Sequence, residues 1–290
     1  MRVTLTTAIT ILALTAAFNV NASEPSIKQT GISFTENKGQ VCDQNFKPRP
    51  DVMFSGTSDG MVYHLTNTGI SYQLSKIESW KETIEEKTKT KLRAPNVTSI
   101  YRIDVKWMGI NNNVKIEKGN PLEGEANYYL QQCPNGALNV KSYSDVTYKN
   151  IYNGIDLKWY EKNGNLEYDF IVSPNADPGK IKFQINGAKK LRINEKGQLE
   201  ITTPLGKITE MAPVAYQDGK EIKAKWELKN NELQFNISSY DHNKTLTIDP
   251  MVRLWGTYYG GTVGDRIRDV TTDASNNSYV VGFTSSTAAG

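Results

Sequence analysis

"GIDLKWYEKNGNLEYDFIV", residues 154–172, decides the fold class. At its centre stands Asn163-Gly164. A two-residue type I′ turn needs positive φ at both central positions, and Asn-Gly supplies that better than almost any other pair. Folding the chain there sets Trp159 against Tyr168 and Leu157 against Phe170. The other face sets Lys158 against Asp169 and Tyr160 against Glu167. One face is therefore aromatic and made for a core, while the other is polar and carries a charge pair.

The same grammar extends along the chain. "KAKWELKNNELQFNI", residues 223–237, turns at Asn230-Asn231 and places Trp226 opposite Phe235, Leu228 opposite Leu233 and Lys229 opposite Glu232. Between the two hairpins, Gly197 and Asp218-Gly219 mark further turns. Upstream, "MVYHLTNTGISYQL" and "SIYRIDVKWMG" read as strands separated by turn residues. The expectation is an all-β protein, an antiparallel sandwich-like or layered domain. One segment departs from the pattern. Residues 75–96, "SKIESWKETIEEKTKTKLRAPN", are dense in Lys and Glu with few periodic apolar positions, which predicts a solvated loop or a short exposed helix. A partner-binding arm is the alternative for this segment.

Length and composition bound the rest. At 290 residues the chain has room for roughly two domains, and a hydrophobic fraction of 38% supplies a core. The net charge is only +3, with lysines dispersed among acidic residues, so the concentrated basic stripe of a nucleic-acid-binding protein is missing. "MRVTLTTAITILALTAAFNVNA", residues 1–22, has Arg2, a short apolar run and a Val-Asn-Ala ending. This predicts a signal peptide cleaved between Ala22 and Ser23. The apolar run is short for a membrane span. Export places Cys42 and Cys133 in an oxidising compartment, where they are either one disulfide or two separate thiols.

The residues that carry chemistry in other proteins have plain uses here. Glu167 and Asp169 lie two apart on one strand face, as acid–base work requires, but the hairpin register gives Asp169 a lysine partner on what reads as a solvated face. His64 falls on the polar side of a strand and His242 in a turn, neither beside a nucleophile in a recognisable setting. "GGTVGDR" lacks the Lys-Ser/Thr ending of a phosphate loop, and "DASNN" lacks the distal Glu of a calcium loop. No metal, cofactor or catalytic residue is expected.

Past "TIDP", residues 247–250, composition shifts to Gly, Thr, Ser and Tyr. The stretch "LWGTYYGG…DVTTDASNNSYVVGFTSS", within residues 254–286, resembles the repeat of the SBBP family of bacterial β-propellers, with Asn276-Asn277 where that repeat usually has Gly-Asn. "SFTENKGQV", "PRPDVMFSG", "LEYDFIVSPNADP", "TPLGKITEMAPVAYQ" and "LTIDP" resemble the domain preceding the propeller in secreted SBBP-repeat proteins of Bacteroidota type. The resemblance implies a signal peptide over residues 1–22, an N-terminal β domain over 23–252, and a first, truncated blade over 253–290. It also implies export to the medium or cell surface of a Gram-negative bacterium, often with a type IX secretion signal. The expected role is non-catalytic binding, adhesion or scaffolding, with a cell-surface glycan or protein as partner. The alternatives are a glycan-binding module, or the front of a secreted enzyme whose active site lies on the propeller or later domains.

Overall fold

The structure, a computed structural model, describes residues 32–58, 60–84, 91–162, 164–229, 232–250, 252–254, 265–272 and 278–284. Residues 1–22 with the cleavage site at Ala22 and Ser23, and the turn residues Asn163, Asn230 and Asn231, lie outside the described residues. Apart from one 3-10 turn at Pro178–Lys180, the regular structure among the described residues is all strand, and the strand pairings given below are antiparallel.

In chain order the strands are β1 Phe34–Glu36, β2 Val52–Ser58, β3 Met61–Thr66, β4 Gly69–Ile84, β5 Lys91–Trp107 and β6 Lys115–Lys118. There follow β7 Ala126–Leu130, β8 Cys133–Val140, β9 Ser142–Tyr143, β10 Asp145–Tyr152, β11 Ile155–Lys162 and β12 Asn165–Val172. Next come β13 Lys182–Asn186, β14 Lys190–Ile193, β15 Leu199–Thr203, β16 Gly206–Glu210, β17 Val214–Gln217 and β18 Lys220–Lys229. The last are β19 Glu232–Ile237, β20 Leu246–Asp249, β21 Val252–Leu254, β22 Asp265–Thr272 and β23 Ser278–Thr284.

The hairpin registers follow the turns. Trp159 pairs Tyr168, Leu157 pairs Phe170 and Lys162 pairs Asn165, with Gly164 at φ +79° in the two-residue turn. Trp226 pairs Phe235 and Lys229 pairs Glu232. At the β17–β18 turn, Asp218 (φ +50°) and Gly219 (φ +72°) both take the left-handed conformation, as a type I′ turn demands.

Fifteen strands form one sheet in the order β6-β10-β11-β12-β20-β17-β18-β19-β13-β5-β4-β3-β2-β1-β9. Its two ends almost meet. Beyond β6 the chain continues alongside β9, with Pro121 bridged to Tyr143 and the Leu122 N–H donating to the Ser142 carbonyl at 2.8 Å. The enclosed face holds one hydrophobic core. Aromatic contacts tie its walls together: Trp107 on β5 with Tyr148 on β10 at 4.9 Å between ring centroids, and Phe170 on β12 with Phe183 on β13 at 5.8 Å. A smaller sheet, β14-β15-β16-β21, adds Leu199, Ile201 and Ile208 to the same core.

The segment over residues 75–96 corrects the expectation of a loop or helix. On its described residues, up to Ile84 and from Lys91, β4 and β5 form a two-stranded ribbon that pairs Lys76 with Ser99, Trp80 with Pro95 and Ile84 with Lys91. The described side chains out to Glu82 and back from Pro95 are largely exposed, so the charge was legible but the conformation was not. The backbone ladder extends from the packed base of the hairpin, where β-branched residues such as Ile77, Val97 and Thr98 suit a strand without needing a core.

β20 ends at Asp249, and β21 then joins the small sheet by pairing with β16. Among the described residues β22 and β23 pair only with each other, as a two-stranded sheet in which Val281 is 63% exposed. Trp255 and the "DASNN" turn lie outside the described residues.

Candidate functional site: a polar groove over β2 to β5

β3 alternates strictly. Met61, Tyr63 and Leu65 enter the core, which leaves Val62, His64 and Thr66 on the outer face. In register, His64 lies between Ser55 of β2 and Ser71 of β4. His64 Nδ1 and Ser55 Oγ are 2.8 Å apart. Burial, together with the nearby Arg49 guanidinium, holds the imidazole down to about 4, so it is neutral at physiological pH.

Two ion pairs flank the histidine. Arg49 donates Nε and Nη2 to the two carboxylate oxygens of Asp51, at 2.8 and 2.6 Å, in the bidentate fork that guanidinium geometry favours. Arg102 donates Nε to Asp104 Oδ2 at 3.2 Å, and Ser71 Oγ donates to Asp104 Oδ1 at 2.5 Å. Two cavities of about 410 and 590 Å³ share Arg49 and Arg102 as wall residues. The first runs over Asp51, the Thr66–Ser71 turn, Asp104 and Lys106, and the second over Cys42, Asp43, His64, Gln73 and Ile100.

Sequence reasoning placed His64 on a polar strand face, and it is there. It missed the contact with Ser55, because only the β2–β3 register brings residues nine apart into apposition. In a Ser-His-Asp arrangement a carboxylate orients the imidazole through its other nitrogen. Asp43, Asp51 and Asp104 are the acids lining the groove: Asp43 Oδ1 accepts from the backbone of its own loop, and the oxygens of Asp51 and Asp104 are engaged by Arg49, Arg102 and Ser71. The groove is thus an array of fixed donors and acceptors. Its geometry suits holding a ligand.

Glu167 and Asp169 require a correction. Their face is not solvated at this point. Glu167 is 1% exposed, and Glu167 Oε2, Asp169 Oδ1 and Asp249 Oδ1 are buried without a hydrogen-bond partner. Lys158 is cross-strand from Asp169, yet its ammonium lies 3.6 Å from Asp145 instead. The cause is the pairing of β12 with β20 on its other edge, which sets Phe170 beside Ile248 and hence Asp169 beside Asp249. Burial, reinforced by the Asp249 charge, pushes Glu167 up to about 7 and Asp169 up to about 6. Neither residue borders the two cavities.

Sequence reasoning also missed Glu210. It is 5% exposed on the core side, accepts a hydrogen bond from the Tyr168 hydroxyl at 3.0 Å, and is raised by burial to about 7.

Cys42 and Cys133 are separate, partly buried free thiols, with Cys133 Sγ 3.7 Å from the Tyr128 carbonyl. Among the described residues no group of three His, Cys, Asp or Glu side chains is placed to hold a metal ion, and no helix is long and apolar enough to cross a membrane.

Fold and groove together define a class: a nearly closed, antiparallel all-β domain with one continuous core and a polar, ion-paired face. Residues 34–251, most of the chain, match the family model described as "Domain of unknown function (DUF7948)", and the chain belongs to that family. No curated protein and no solved structure matches it.

Proposed function

We propose that this chain is the N-terminal part of an exported SBBP-repeat protein and that its large β domain is a non-catalytic binding module. The observation that carries the binding role is the groove. Arg102–Asp104 is set on β5, an interior strand of the sheet, and Arg49–Asp51 in the turn immediately before β2, each pair already joined by hydrogen bonds, so their donors and acceptors need little reordering when a ligand arrives. The export reading is supported by residues 1–22, and the propeller reading by the SBBP-like pattern over the β22–β23 hairpin. Adhesion or scaffolding at the cell surface follows from this combination.

The test is to present the secreted chain to arrayed glycans and peptides. Saturable binding that weakens in Arg49→Gln and Arg102→Gln, with the ligand recovered intact by chromatography, is the expected result. Chemical conversion of the bound ligand would defeat the non-catalytic reading. Mass spectrometry of the exported protein should give Ser23 as its first residue; an intact Met1 outside the cell would defeat the export reading.

A further inference from the structure

The loop between β1 and β2 walls the larger cavity through Cys42, Asp43 and Gln44. It is tightly braced. Cys42 bridges Pro48, the Asp43 N–H donates to the Lys47 carbonyl at 2.9 Å, and Asp43 Oδ1 accepts from the backbone N–H groups of Asn45 and Lys47 at 2.8 and 3.0 Å. At its tip stands Phe46, 56% exposed, with φ +60°. Among the described residues five non-glycine positions have positive φ, and the other four are Asn139, Asn150, Asn175 and Asp218. Asn and Asp tolerate the left-handed region because their short side chains bond the local backbone; a bulky aromatic gains nothing comparable there. An exposed ring held in an unfavourable backbone conformation, by a loop that does not need it for packing, is a feature to be explained by use.

The groove that Cys42, Asp43 and Gln44 of the same loop wall, two residues before Phe46, narrows what that use is. Together the two cavity walls carry Arg49, Arg102 and Lys106 against Asp43, Asp51 and Asp104, which is electrically balanced. A polyanion therefore finds no net attraction. An extended peptide finds no strand edge to pair with, because β2, β3, β4 and β5 each have a hydrogen-bonded neighbour on both sides. What the surface does offer is alternating donors and acceptors: guanidinium, carboxylate, the Gln73 amide and a neutral imidazole. Ile100, 53% exposed, adds an apolar wall. Vicinal hydroxyls match that alternation, and the C–H face of a pyranose matches an aromatic ring.

We propose that this groove binds a neutral oligosaccharide, with Phe46 as the stacking platform and the Arg49–Asp51 and Arg102–Asp104 pairs reading the hydroxyls. The proposal rests on the binding reading above and names its ligand class.

The test is calorimetric titration of the full chain with hexaoses of β-1,4-glucose, β-1,3-glucose, α-1,4-glucose, mannose and N-acetylglucosamine. At least one should bind. Phe46→Asn should weaken it about tenfold or more, with a Tm equal to or above that of the unsubstituted chain, since asparagine accepts the backbone conformation. Arg102→Gln should weaken the same sugar without altering the fold. Binding unchanged in both variants would overturn the groove assignment, and so would the absence of binding by every hexaose. If every hexaose fails while an arrayed peptide binds, the saccharide is wrong and the binding module survives. If a hexaose binds through Phe46 and is then shortened, the groove assignment stands and the non-catalytic reading falls.

Discussion

Trp159 sits at the centre of the hairpin on which the fold class turned, 1% exposed, with its ring 4.6 Å from that of Tyr168. Trp159→Ala should lower the free energy of unfolding by about 3–5 kcal/mol, because the cavity left among Leu157, Tyr168 and Phe170 cannot collapse between paired strands. Urea denaturation measures this, and a loss below about 1 kcal/mol would show that the site relaxes. Glu210 makes the opposite kind of prediction. Its carboxyl is raised from an ordinary 4.5 to about 7 by burial. The folded state then holds a proton that the unfolded state releases, so the stability of the native protein falls as pH rises from about 4.5 to 7 and levels off above. Glu210→Gln removes this loss. The variant should be more stable than the native chain at pH 8 by about 3 kcal/mol and equal to it at pH 4. A variant less stable at pH 8 would mean that the Tyr168 hydrogen bond outweighs the cost of the buried charge. Neither the burial of Glu210 nor that of Glu167 was legible in the sequence, where both appear as polar positions on alternating strands. Alternation predicts which residues share a face but not whether another element covers it.

Among the elements, the β4–β5 ribbon separates local from shared stability. At its base Tyr72 and Ile103 pair in the core, 1% and 0% exposed. Farther out, Trp80, Val97 and Ile100 are between 43% and 53% exposed. The described side chains of the outer ribbon therefore bury little. Replacing residues 78–97 by Asn-Gly, which closes Ile77 directly against Thr98, should leave the chain folded with a Tm within a few degrees of the original. A large drop would show that the ribbon packs on the domain. The β11–β12 and β18–β19 registers are those their sequences predicted, because side-chain period is a local property. The ribbon departs from its sequence reading, because its strand conformation is inherited from the packed pair beneath it.

At the scale of the molecule, one core joins strands from Phe34 to Ile248, while among the described residues β22 and β23 pair only with each other. An isolated two-stranded hairpin is marginal in water. A peptide of residues 255–290 should therefore show no measurable amide protection; slow exchange across Asp269 to Phe283 would show that it folds alone. The amino-acid sequence by itself determined that the protein is all-β, where its tight turns fall, and which faces of β11, β12, β18 and β19 are apolar. These follow from φ preferences at Asn and Gly and from the two-residue period of a strand, which neighbouring residues settle between themselves. Only the tertiary structure decided that β12 lies beside β20 and β5 beside β13, that Asp169 meets Asp249, and that Arg49, His64 and Arg102 share one groove. Those pairings join segments tens of residues apart. Many registers satisfy the same local pattern, and the one adopted is selected by how completely the strands enclose a common core.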